Sequence, residues 1–218
     1  LKLKGLEDFT PPLMQFPVEA NLNMDFLDDR ISSESQKKEL IRKIEINPRD
    51  TFSLYELGML YKKEKEPEKA QEMFIRVIQL NSNYQQVNYE YGSMAMEKQE
   101  YEKAEILLRK ALSNNNSNQY TINLQLAKIY EIWRDFERAE LHYKSGIQLS
   151  DKIFEPYYNL YDFYIKQKKY KDAEKILMNT QTLFPSESNH HLFTFYETMM
   201  HLFPNDGQWP YKAANRYL

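Results

Sequence analysis

Pro67-Glu68-Lys69-Ala70, Tyr101-Glu102-Lys103-Ala104, Phe136-Glu137-Arg138-Ala139 and Tyr170-Lys171-Asp172-Ala173 are four copies of one phrase. Their alanines lie 34, 35 and 34 residues apart. A fixed period of this length marks supersecondary units, each unable to bury its apolar face alone, that stack on their neighbours. Such stacks present extended surfaces and generally bind other molecules rather than transform them.

Each phrase opens the second helix of a pair. The apolar spacing predicts helices near 51–64 and 68–80, 85–98 and 101–114, 119–133 and 136–149, and 155–167 and 170–183. Turns this short make paired helices antiparallel. The run Ser113-Asn114-Asn115-Asn116-Ser117-Asn118 reads as a loop, because short polar side chains compete for backbone bonds. The longer step of 35 falls there, where one added residue costs little. Full repeats are expected at about 51–84, 85–118, 119–153 and 154–187.

The ends look different. Residues 1–33 form an expected extended N-terminal arm, interrupted by Pro11, Pro12 and Pro17 yet rich in Leu13, Met14, Phe16, Val18, Leu22 and Phe26. It reads either as a frayed leader or as an ordered strip packed along the repeats. A helix is expected after Ser32-Ser33-Glu34, making residues 34–48 a degenerate first cap. Residues 188–218 make the other cap, with helices near 188–202 and 210–217. Terminal repeats are atypical because one side faces water.

These residues resemble the tetratricopeptide repeat. The first repeat carries Leu54, Leu57, Gly58, Tyr61, Ala70 and Phe74, close to that family's W-x2-L-G-x2-Y…A-x3-F pattern. The second carries Tyr91, Gly92, Ala95, Ala104 and Leu108; the third Leu126, Ala127, Tyr130, Ala139 and Tyr143; the fourth Tyr157, Leu160, Tyr164, Ala173 and Leu177. Gly58, Gly92 and Ala127 are small where the paired helices come closest. Tyr161 breaks that rule, which predicts a wider pair there or a ring turned outward.

The resemblance implies an all-α, right-handed superhelical solenoid covering residues 34–218, its first helices lining a concave groove. The inward positions are then Phe52, Tyr55, Met59 and Lys62, followed by Gln86, Tyr89 and Met96, Leu124 and Lys128, and Tyr158. Tyr and Met there suit a peptide held by a few apolar side chains. A solvated face, or one covered by the N-terminal arm, is the plainer reading. One subfamily clamps chaperone C-termini through Lys and Asn; Tyr55, Met59, Glu90 and Gln125 stand where that clamp needs other residues, which argues against it.

Composition narrows the remaining classes. The formal charge is −3 with both signs mixed, and no Lys/Arg block marks a nucleic-acid footprint. No apolar run is long enough to form a transmembrane segment. There are no cysteines, which excludes disulfides and thiolate chemistry and fits an exported chain. The opening Leu1 suggests an upstream segment removed, by a signal peptidase or by design. Five glycines leave no room for a phosphate-binding loop, and no nucleophile elbow is present. His190, Glu197 and His201 share a helix face at metal-compatible spacing, but read better as a polar terminal face. His142 reads as a surface residue. Asn115-Asn116-Ser117 matches a glycosylation acceptor, of little meaning in a bacterial chain.

No cofactor, metal or catalytic residue is therefore expected. The expectation is a non-enzymatic scaffold or adaptor with a protein or peptide partner, with homo-oligomerisation through the ends as a further prospect. Asn, Lys, Ile and Tyr usage points to an AT-rich bacterial genome, hence an envelope, secretion, pilus or motility assembly, with the cytoplasm as the other compartment. The competing class is a docking or regulatory part of a larger enzyme.

Overall fold

In a computed structural model of the chain, the described residues are 19–112, 118–150 and 152–214, with side chains described from residue 32. Among them are eleven helices and no strand: α1 (Glu19–Ile46), α2 (Thr51–Lys63), α3 (Pro67–Leu80), α4 (Gln85–Glu97), α5 (Tyr101–Leu112), α6 (Gln119–Ile132), α7 (Phe136–Leu149), α8 (Glu155–Lys166), α9 (Tyr170–Thr180), α10 (Pro185–Leu202) and α11 (Gln208–Ala214). The four repeated phrases open α3, α5, α7 and α9. Most of the expected loop at Ser113–Asn118, the Asn115 acceptor, the first part of the N-terminal arm and the end of the last helix lie outside the described residues.

The largest departure from the expected boundaries is in α1; α9 also ends at Thr180 and α10 starts at Pro185, each three residues early. α1 begins at Glu19, well before Ser32-Ser33. No proline or glycine falls between Val18 and Asn47, so nothing in the backbone stops the helix at the serines. Ser33 does not cap. Its hydroxyl donates to Glu64 at 2.7 Å, beside the Lys37–Glu64 ion pair at 2.7 Å. Glu64, and after it Glu34, hold the Lys37 ammonium above its ordinary range.

The chain divides into two compact units between Arg76 and Val77. The first holds α1, α2 and most of α3. Its buried residues include Leu40, Ile44, Leu54, Leu57, Ala70 and Phe74. Asp50 starts α2, accepting from the Ser53 backbone N–H at 3.1 Å and the Ser53 hydroxyl at 2.7 Å. Gly58 is needed where α2 meets α3: a Cβ built on it lies 2.5 Å from Phe74 Cε1.

The second unit contains α4 to α11 around one continuous core of Leu108, Ile122, Leu126, Tyr130, Leu160, Phe163, Leu177 and Phe195. Ala104, Ala139 and Ala173 are fully buried. A Cβ on Gly92 lies 3.0 Å from Leu108 Cγ, a milder conflict than at Gly58. Tyr161 is partly buried and packs against the core. Its ring sits 6.3 Å from both His191 and Phe195, on α10. His142, expected on the surface, is half-buried. It stacks on Tyr130 at 5.3 Å and bonds Asn123 at 2.9 Å, and burial lowers its basicity.

Every turn inside a repeat closes the same way. Lys65, Gln99, Arg134 and Lys168 take φ of 61°, 60°, 60° and 58°. After each, a backbone N–H reaches back five residues: Glu66 to Tyr61, Glu100 to Ala95, Asp135 to Tyr130 and Lys169 to Tyr164, at 2.8–2.9 Å. These are Schellman closures, which satisfy the orphan carbonyls of the first helix.

A second repeated device joins neighbouring pairs. The hydroxyls of Tyr130, Tyr164 and Tyr196 donate to Glu105, Glu140 and Glu174 at 2.8, 3.0 and 2.7 Å. Each acceptor is the residue immediately after a repeated alanine. The bonds tie α5 to α6, α7 to α8 and α9 to α10.

Candidate functional site

The side chains proposed for binding fall on the first helix of each pair. On the first unit, α2 places Phe52 in solvent with 62% of its surface exposed. Tyr55 is half-buried, its ring 6.3 Å from Phe74. Met59 and Lys62 are also half-buried. Tyr55 therefore packs against α3.

On the second unit, α4 exposes Gln86 and leaves Tyr89 and Met96 half-buried against the core. Leu124 on α6 is similar, Lys128 is exposed, and Tyr158 on α8 is 38% exposed. Cross-helix bonds gather these three helices onto one face. Ser93 of α4 and Gln125 of α6 bond at 3.2 Å. Lys166 of α8 pairs with Glu131 of α6 at 3.2 Å. Asn159 of α8 donates to the Tyr120 hydroxyl at 3.4 Å. Gln125, Lys128 and Glu131 follow at intervals of three along α6, so Lys128 sits on the same stripe as both links.

The electrostatics of this face are largely internal. Glu131 accepts from Tyr143 at 2.9 Å as well as from Lys166. Asp162, at 2.8 Å, and then Glu131 raise the Lys166 ammonium above its ordinary range. Lys128 forms no ion pair among the described residues.

The sequence reading missed an aromatic cluster at the far end of this face. His191 of α10 stacks on Phe154 at 5.4 Å and lies 4.7 Å from Tyr158. Tyr158 also meets Tyr161 at 5.8 Å. Burial, then Tyr158 and Asp162, push the Tyr161 hydroxyl up to about 12. Tyr161 was visible in the sequence as a departure from the small-residue rule. Nothing in the sequence signalled His191, because Phe154, Tyr158 and Tyr161 lie 30 to 37 residues away.

His190, Glu197 and His201 are exposed on α10, and no group of three or more metal-binding side chains gathers among the described residues. Among the described residues, the face of α4, α6 and α8 carries rings, a thioether and the ammonium of Lys128 outside any ion pair.

The family model of the tetratricopeptide repeat matches residues 53–84 and 85–118. The chain carries tetratricopeptide repeats. The curated proteins contain no match. Among solved structures, PilF of Pseudomonas aeruginosa is 18% identical, with a TM-score of 0.58 over 89% of this chain and 95% of that one. YrrB, described as a tetratricopeptide protein with an unusual peptide-binding site, is 16% identical, with a TM-score of 0.62 over 81% and 91%. PilW, described as a widely conserved type IV pilus biogenesis factor, is 14% identical, with a TM-score of 0.57 over 88% and 96%. At these identities the likeness is one of fold. What is shared is an all-α architecture of paired helices.

Proposed function

We propose that this chain is a non-enzymatic scaffold or adaptor that holds a peptide segment or a partner protein on the first helices of its repeats. The observation that carries this reading is the continuous face of α4, α6 and α8. Its polar groups are bonded across helices while Tyr89, Met96, Leu124 and Tyr158 remain open to contact. Half-exposed Tyr and Met give contact area with little ordering cost or with adaptable shape. Phe52, Tyr55 and Met59 supply anchors on the first unit, and Lys128 a charge on the second. YrrB, a neighbour in fold, carries a peptide-binding site of its own.

A place in a bacterial envelope assembly is the context we favour. PilW, of like fold, is a pilus biogenesis factor, and the absence of cysteine suits an oxidising compartment. No described helix is long and apolar enough to cross a membrane.

The test is capture from native extract by the chain and by two variants chosen for exposure, Phe52→Ala and Tyr158→Ala. Both should keep their helicity. Partners should be depleted in one or both; identical capture by all three chains refutes binding through these first helices.

A further inference from the structure

A cavity of about 470 Å³ is walled by α5, α6 and α7. Arg109 and Leu112 of α5, Tyr130 of α6, and Arg138, Leu141 and His142 of α7 line it. Among the described residues this lining holds two guanidinium groups and an imidazole, and no carboxylate. Tyr130 fixes the wall. It is fully buried, its ring stacks on His142 at 5.3 Å, and the Arg138 guanidinium carbon lies 4.3 Å from the ring centroid.

Each guanidinium spends one nitrogen on a carboxylate outside the lining. Arg138 Nε donates to Asp135 at 2.6 Å, and Arg109 Nη1 donates to Glu105 at 3.2 Å. Glu105 is shared with the Tyr130 hydroxyl at 2.8 Å. A guanidinium has further donors in the same plane, left over from these bonds.

His142 is held in one tautomer. Asn123 donates its side-chain amide to the Gln119 carbonyl at 2.8 Å. Its Oδ1 therefore accepts the Nδ1 proton of His142 at 2.9 Å. The other ring nitrogen, Nε2, is then an acceptor. It makes no hydrogen bond among the described residues and is not sealed from solvent. Burial, then the charges of Arg109 and Arg138, disfavour a second proton on the ring.

We propose that this cavity binds a phosphate group, its charged oxygens on the Arg109 and Arg138 forks and its hydroxyl donating to His142 Nε2. Arginine forks match phosphate oxygens in pairs. The imidazole acceptor then chooses among anions. A phosphate on an organic group takes up its proton at about pH 6, so holding that proton toward Nε2 costs little. A carboxylate takes up its proton only at about pH 4 and would set a lone pair against Nε2. Leu112 and the exposed Leu141 give an apolar wall for whatever carries the phosphate. The site uses none of the first-helix residues proposed for partner contact and does not depend on that reading.

The chain has four histidines, and isotope-labelled histidine gives each an imidazole signal. His142→Gln assigns the signal of interest by its loss. Inorganic phosphate, sodium sulfate and sodium chloride are titrated at matched ionic strength near neutral pH. Phosphate should move the His142 Nε2 signal saturably and leave the other three histidines in place. Sulfate, which has no proton to give, should bind about tenfold more weakly, the worth of one charge-assisted hydrogen bond. Arg109→Gln alters a side chain 65% exposed, so the fold should persist while phosphate binding weakens about tenfold. Lys175→Gln, on α9 outside the lining, should leave binding unchanged. Phenyl phosphate separates the sources: tighter binding than inorganic phosphate marks a phosphorylated molecule, and equal binding marks the free ion. A His142 signal that ignores phosphate, follows sulfate or chloride equally, or responds unchanged in Arg109→Gln overturns the proposal.

Discussion

The Tyr196 hydroxyl donates to Glu174 at 2.7 Å, deep enough that only 8% of the glutamate side chain is exposed. Lys212 of α11 holds the other carboxylate oxygen at 2.6 Å. This single carboxylate thus joins α9, α10 and α11. Tyr196→Phe leaves one buried oxygen without its donor and should cost about 1–3 kcal/mol in urea denaturation. Tyr130→Phe should cost less, because its partner Glu105 also meets Arg109 nearer the surface. Equal losses at the two sites contradict the assignment of Glu174 as the deeper tie.

Glu140 is the acid-sensitive member of the same series. Burial works against its charge, but bonds from Lys144, Lys169 and Tyr164 outweigh it and hold the carboxyl at about 2, below its ordinary 4.5. A depressed carboxyl binds fewer protons folded than unfolded. Its contribution is therefore complete above pH 4.5 and disappears as the pH falls toward 2. Glu140→Gln should flatten the melting temperature in that window and lower it at neutral pH. Parallel melting curves for the two proteins across the window rule this role out.

At the α2–α3 crossing the chain has no spare volume. A Cβ on Gly58 meets Phe74 Cε1 at 2.5 Å and Cδ1 at 2.8 Å. Gly58→Ala gains about 1 kcal/mol of helix propensity but forces a displacement costing about 1–3 kcal/mol. Net destabilisation is expected, relieved when Phe74→Leu is added. Gly92→Ala meets Leu108 at 3.0 Å, a side chain that can yield, and should be near neutral. Calorimetry of the three variants checks the order.

The helices were legible because their period is carried by small residues that cannot be exchanged for large ones, as Gly58 and Ala104 show. What joins the repeats was not. Glu105, Glu140 and Glu174 recur with the period, yet carboxylates on helices read as solvated faces. Their tyrosine donors lie 22 to 25 residues away on other helices. The early start of α1 escaped because Ser32-Ser33 imitates a cap, and only a contact with Glu64 shows why the helix runs through. The first helices themselves were legible from the period. Which positions also pack, as Tyr55 does on Phe74, depends on rotamers that spacing does not encode.

No glycine occupies any of the four left-handed positions; Lys65, Gln99, Arg134 and Lys168 carry the strain instead. A side chain in that conformation costs about 1–2 kcal/mol. Glycine there removes the strain but loses more freedom on folding, so each replacement should stabilise by about 0.5–1 kcal/mol. Gln99→Gly and Arg134→Gly are the cleanest tests, since neither side chain makes a described polar contact. Their effects should add, because the two turns close different helix pairs with no shared partner. A loss of stability in either denies the closures their role in setting the turns.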